Sequence, residues 1–145
     1  MQIAPLMVLE SNAMENILIV DDNKIFLKTL AFYLRSKLKN YNVMTAEDGE
    51  KAIKLMKSNP VSLVLTDLQM PKVDGYKVIA YAQEHDSAIP VIIMTSAWSL
   101  ELATLVEKKR IARYIEKPFQ LEDLDRMIIE PLIKNKIISD ARATG

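Results

Sequence analysis

Val61-Ser-Leu-Val-Leu-Thr-Asp-Leu-Gln-Met-Pro-Lys-Val-Asp-Gly75 opens as an apolar run from Val61 to Leu65 and turns polar at Thr66-Asp67. A run this short and this apolar predicts a strand covered on both faces, as in a parallel sheet. Ile17 to Val20 and Val91 to Met94 read the same way. Tyr41 to Thr45 and Ile111 to Glu116 mix apolar with polar residues, as edge strands do. Between the runs lie segments of helical period. Phe26, Leu30, Tyr33, Leu34 and Leu38 form one apolar stripe, Ala52, Ile53 and Met56 a second, and Tyr76, Ile79 and Ala80 a third. Two further helical patterns cover Leu100 to Lys109 and Leu121 to Ile129.

Five β–α units joined by right-handed crossovers, with strands two and five at the edges, predict strand order 2-1-3-4-5. The fold class is therefore α/β, a flavodoxin-like (βα)5 doubly wound parallel sheet. Asp48-Gly49 marks the turn into the second helix, Asn59-Pro60 its end, and Pro90 the start of strand four. Pro131 should kink or end the last helix near Glu130. Ser11-Asn12-Ala13 precedes Met14 like an expression remnant before a native start. The chain thus divides into an N-terminal extension or remnant (1–13), one domain (14–138) and a C-terminal tail (139–145).

At 145 residues, half of them apolar, the chain suits one domain with a full core and excludes intrinsic disorder. Its 19 basic and 19 acidic residues give no electrostatic reason to expect nucleic acid or an anionic membrane as a partner. With no Cys and one His, a disulfide framework, a thiolate zinc site, a catalytic Cys and a multi-His metal cluster are all excluded. The absence of a long apolar run or a signal peptide pattern leads us to expect a cytoplasmic protein. Site chemistry falls to carboxylates, hydroxyls and lysine.

Those groups stand where the strands end. Strand one runs into Asp21-Asp22, strand three into Thr66-Asp67, strand four into Thr95-Ser96 and strand five into Lys117-Pro118. In an open α/β sheet ligands bind at that edge, so three carboxylates, a hydroxyl and an ammonium should converge. Two carboxylates 4 Å apart repel by about 4 kcal/mol at an effective dielectric near 20, which a divalent cation relieves. Oxygen ligands alone suit Mg²⁺. A hard cation beside a carboxylate, a lysine and a hydroxyl is equipped for phosphoryl transfer to the carboxylate. Each residue also has a plainer reading: the paired aspartates as a helix N-cap, Asp67 as a turn residue, Thr95 as a strand former, Tyr114 as edge packing.

At these positions the chain resembles the receiver domain of two-component response regulators, the CheY-like family. The resemblance spans Asn16 to Ile129 and rests on Asp21-Asp22, on Asp67 to Gly75, on Thr95-Ser-Ala97 and on Tyr114-Ile-Glu-Lys-Pro118. It implies that Asp67 is the phosphoacceptor and that Mg²⁺ is held by Asp22 directly, Asp21 through water, Asp67 and the Gln69 backbone carbonyl. It further implies that Lys117 pairs with the phosphoryl group, that Thr95 bonds it, that Tyr114 moves with Thr95, and that Lys117-Pro118 is cis. The implied partners are a histidine kinase or phosphotransfer protein, and an output partner or second copy on the face of the fourth helix, fifth strand and fifth helix. Leu100, Leu102, Leu105, Val106 and Trp98 make that fourth helix apolar on more than one side. Arg110-Ile111 departs from the Gly-Ala with which many receivers end it.

The expected protein is a signalling switch that assists its own phosphorylation and hydrolysis, not an enzyme with an external product. It is either a stand-alone regulator or one domain of a longer regulator or hybrid histidine kinase. An aspartate-nucleophile phosphohydrolase would want a carboxylate where Gln69 stands. A flavin or nucleotide binder would need a Gly-rich loop, and the chain has only Gly49, Gly75 and Gly145. Asp74-Gly75 reads as a helix cap and turn, the methionines as core, and His85 as a solvated surface residue.

Overall fold

A computed structural model describes residues 14–70, 74–85, 89–96, 99–108 and 113–144. Five strands alternate with five helices in the order β1 (Glu15–Val20), α1 (Lys24–Lys37), β2 (Tyr41–Ala46), α2 (Gly49–Ser58), β3 (Leu63–Asp67), α3 (Gly75–His85), β4 (Val91–Thr95), α4 (Leu100–Lys108), β5 (Arg113–Glu116) and α5 (Leu121–Thr144). All pairings are parallel and the strand order is 2-1-3-4-5, as the sequence pattern predicts.

Alternation along the strands explains the continuous apolar runs. Ile17 and Ile19 of β1, with Leu63 and Leu65 of β3, face α1 and α5 and pack with Leu30, Leu34, Leu124 and Ile128. Leu18, Val20 and Val64 face the other way, onto Ala52, Val78, Ile79 and Leu102 of α2, α3 and α4. Every one of these side chains is at most 1% exposed. With both faces of the central strands covered, no position in them is left for a polar residue until the strand ends.

Helix starts follow their caps. Asn23 caps α1 by accepting from the Phe26 amide at 3.0 Å, and Asp48 caps α2 by accepting from the Lys51 amide at 2.9 Å. On α1 the buried residues are Leu27, Leu30, Ala31 and Leu34, with Phe26, Tyr33 and Leu38 flanking them. The β3 ladder begins at Leu63 rather than Val61 and runs through Asp67, which pairs with Met94. Asp67 is therefore the last strand residue rather than the first loop residue, and its backbone is fixed by the sheet.

Pro131 does not stop α5 near Glu130: the helix runs on to Thr144, through the segment expected as a tail. A proline inside a helix removes one backbone bond. Ile128 and Leu132 on either side of it are buried against the sheet, and that packing carries the helix past the break. Residues 1–13, Ala97, Trp98 and Arg110-Ile111 lie outside the described residues, as do the side chains of His85 and Leu105. On α4, Leu102 is fully buried while Leu100 is 84% exposed.

Tyr33 ties α1 to α5 by donating its hydroxyl to Asp125 Oδ1 at 2.8 Å. That bond, with partial burial and the charges of Asp125 and Glu122, pushes the phenol up to about 12. The neutral phenol is the bonded form, so its contribution is complete below the ordinary tyrosine range near pH 10 and is lost as the pH climbs towards 12. Wild type should be more stable than Tyr33→Phe at pH 8 in urea melts, and the two should converge between pH 10 and 12. A gap that persists unchanged to pH 12 would assign the difference to packing instead.

Candidate phosphoacceptor site

The alternation that builds the core also aims the polar residues. Continuing from Ile17 and Ile19, Asp21 points to the α1/α5 side, as does Asp67 after Leu63 and Leu65, and Lys117 after Ile115. Strands one, three and five thus deliver two carboxylates and an amine to the same side of one sheet edge. Lys117 Nζ donates to Asp21 Oδ2 at 2.5 Å and to Asp67 Oδ2 at 3.3 Å. Asp22, exposed at the mouth, completes a cluster in which Asp21, Asp22 and Asp67 each offer an oxygen within 4.8 Å of the others.

Local backbone bonds hold this arrangement. Asp21 is 0% exposed, its amide donates to the Ala46 carbonyl, and its Oδ1 accepts from the Asn23 amide at 2.9 Å. The helix cap is thus Asn23, and neither aspartate of the pair is spent on that task. Asp67 Oδ1 accepts from the Gln69 amide at 3.2 Å. The Lys117 amide donates to the Thr95 carbonyl at 2.6 Å, and the Lys117-Pro118 bond is cis. Burial pushes the Asp67 carboxyl above the usual carboxylate range and Asp21 adds to that, against the pull of Lys117 and the Gln69 amide. A carboxylate stripped of water in this way is more basic than one in solution.

Thr95 is buried at the end of β4 and, by alternation with Ile93, belongs to the opposite side, facing α4. Tyr114, paired with Ile93 across β4 and β5, lies on that side too and is 38% exposed. The expected site residues therefore divide between the two sides: the carboxylates and Lys117 together, Thr95 and Tyr114 beyond them.

Four residues carry more of the site than the sequence analysis indicated. Thr66, fully buried, donates its hydroxyl to the Asp67 carbonyl at 2.8 Å. Phe26, read as part of a core stripe, lies beneath the lysine, with Nζ 4.5 Å from its ring centroid. Phe119 meets Phe26 edge to face at 5.7 Å. Their signal was position, in the first turn after Asp22 and two residues after Lys117. Gly75 was read as a turn glycine, but its φ is not positive. The need is room: a Cβ there would sit 2.0 Å from the Asp67 carbonyl oxygen and 2.7 Å from the Leu68 Cα. Asp74 caps α3 as expected, accepting from the Lys77 amide at 3.2 Å.

The family described as response regulator receiver domain matches residues 17–129. The chain belongs to that family. Transcriptional regulatory protein GlrR of Escherichia coli K12 is 31% identical over 127 residues, covering 88% of this chain and 28% of that protein. Histidine kinase P4 of Formosa agariphila is 33% identical over 124 residues, covering 83% of this chain and 9% of the kinase. A CheY-like response regulator receiver domain protein from Methanospirillum hungatei JF-1 superposes with a TM-score of 0.79 at 25% identity, covering 86% of this chain and 98% of that one. The receiver thus spans less than a third of either curated relative. Receiver domains occur in response regulators and in histidine kinases, and they bind Mg²⁺ at an acidic cluster of the kind formed by Asp21, Asp22 and Asp67. Among the described residues no helix is long and apolar enough to cross a membrane.

Gly75→Ala should be poorly tolerated, because its nearest neighbours are backbone atoms that cannot turn aside. A cost of about 3 kcal/mol is expected in urea melts, the upper range for overpacking. A variant as stable as wild type would show that the Asp67-Leu68 backbone yields freely.

Proposed function

We propose that this receiver is a Mg²⁺-dependent switch, phosphorylated on Asp67 by a histidine kinase or phosphotransfer protein. The observation that carries this reading is the position of Lys117 between Asp21 and Asp67, with a third carboxylate within reach. One ammonium cannot balance three carboxylates. The donor set is oxygen throughout, which fits a hard divalent cation and supports Asp22, Asp21, Asp67 and the Gln69 carbonyl as its ligands. When bound, Mg²⁺ supplies positive charge to the equatorial oxygens of the phosphoryl group.

The chain's own residues then have separate tasks. An Asp67 oxygen attacks phosphorus in line, forming the O–P bond as the bond from phosphorus to the phosphohistidine nitrogen breaks. That nitrogen leaves with the bonding electrons, and Asp67 becomes an aspartyl phosphate. Lys117 neutralises charge on the transferring group and stays paired with it afterwards. Thr95 donates its hydroxyl to a phosphoryl oxygen, which draws the end of β4 inward, and Tyr114 follows into the space released. The face of α4, β5 and α5 changes shape for an output partner or a second copy. The same pocket admits water to hydrolyse the acyl phosphate, so the protein assists its own resetting without releasing a product from any other substrate. Its natural setting is a cytoplasmic regulator or kinase of which this receiver is one part.

Incubation with Mg²⁺ and acetyl phosphate should add one phosphoryl mass to wild type and none to Asp67→Asn. An unchanged wild-type mass would mark a degenerate receiver, and a gain that survives Asp67→Asn would move the acceptor elsewhere.

Stability should report the cation separately. Without metal, Asp22→Asn should be more stable than wild type by about 1 kcal/mol, the repulsion of well-solvated charges at this spacing. Mg²⁺ at a hundred times its Kd should stabilise wild type by about 2.7 kcal/mol. Asp22→Asn should lose most of that increment in urea melts with and without Mg²⁺, and an undiminished increment would remove Asp22 from the ligand set.

A further inference from the structure

We propose that Phe26 is a positioning residue for Lys117, its ring face forming a cation-binding wall that holds the amine over Asp67. The proposal rests on the phosphoacceptor reading of that aspartate. Lys117 Nζ lies 4.5 Å from the Phe26 centroid, inside the range in which a ring quadrupole attracts a cation. An ammonium has three donors and no acceptor. Two of its directions are taken by Asp21 Oδ2 and Asp67 Oδ2, and the ring closes a third.

The wall is itself held. Phe119 buttresses the ring edge to face, with interplanar angle 86°. The Phe26 amide donates to Asn23 Oδ1, and the Asn23 amide donates to Asp21 Oδ1. The contacts form a closed circuit: Asp21 holds Asn23, Asn23 holds Phe26, Phe26 backs Lys117, and Lys117 returns to Asp21. A lysine stem has four rotatable bonds and strong hydration, so without a wall its amine would spread over many positions. The plainer role, filling space between α1 and the segment after β5, needs apolar volume but no ring. Leucine would serve that role almost as well and would not attract the ammonium.

The test separates volume from ring. In the wild-type protein the Lys117 ε-methylene protons, displaced by the ring current, should resonate upfield of the lysines other than Lys37, which lies 5.6 Å from the Tyr33 centroid. This reading needs no variant, so it decides the contact even where a substitution harms folding, and ordinary lysine shifts would overturn the proposal. Phosphorylation by saturating acetyl phosphate, followed by intact mass, should slow about fivefold in Phe26→Leu, the scale of one partly exposed cation–π contact. Phe26→Tyr, which keeps a ring, should recover most of the rate and the upfield signal. The Mg²⁺ affinity should change less than about twofold in either variant, since the ring touches no proposed ligand of the metal but through Lys117. Wild type that gains mass alongside an equally fast Phe26→Leu overturns this proposal alone, as does equal slowing in Phe26→Tyr. A wild type that gains no mass overturns the phosphoacceptor reading and the proposal with it.

Discussion

One ammonium between a buried and a half-buried carboxylate is the contact on which this molecule's organisation turns. Asp21, Asp67 and Lys117 come from β1, β3 and β5, and they meet only because the strands are parallel and β1 and β3 are neighbours. In an antiparallel sheet β1 would end on the opposite edge from β3, and Asp21 would be parted from Asp67. The contact also sets the electrostatic character of the pocket. A fully buried Asp21 charge would be costly alone, and Lys117 offsets it while leaving net negative charge at the mouth, where Asp22 is exposed.

Stability and chemistry are kept apart along each strand. Within β1, residues Ile17 to Val20 have no exposed surface and serve two core layers, and the next two residues are acidic. The same change occurs between Leu65 and Asp67 and between Met94 and Thr95. The core therefore supplies the free energy that holds three like charges within 4.8 Å, an arrangement the polar groups would not adopt unaided. The close approach of Gly75 to the Asp67 carbonyl and the Thr66 hydroxyl bond hold the Asp67 backbone from outside the charged cluster.

Strand order and the convergence of acidic residues with Lys117 were legible in the sequence because both follow from period. A two-residue alternation buried on both faces leaves a continuous apolar run, and polar residues then stand out at its end. What escaped has no period. Whether Pro131 ends α5 depends on whether Leu132 finds a core to enter, which is decided by the whole fold. Gly75 looked like a turn glycine because sequence does not tell a need for positive φ from a need for space. Asn23 took the cap from the neighbouring aspartates because Asp21 was already committed to an inward position. Phe26 looked like core because an aromatic at helical spacing usually is, and the amine 4.5 Å above it arrives from a residue 91 positions later.

The division of the site between two sides of the sheet bears on how a local chemical event could reach a distant surface. In the close-packed five-stranded sheet the central side chains have no room to change place. Only at the carboxyl edge, where packing ends, do groups from both layers come within reach of a common ligand. Asp67 and Lys117 belong to the α1/α5 side, and Thr95 and Tyr114 to the α4 side. A phosphoryl group on Asp67 would be bound from one side and sensed from the other. The Lys117 amide bond to the Thr95 carbonyl joins the two strand ends at that point, so movement of Thr95 cannot leave β5 undisturbed. A site with all its polar groups on one side would bind the same ligands without reaching the α4 side, and under the proposed switch it is this separation that would carry the event across the sheet.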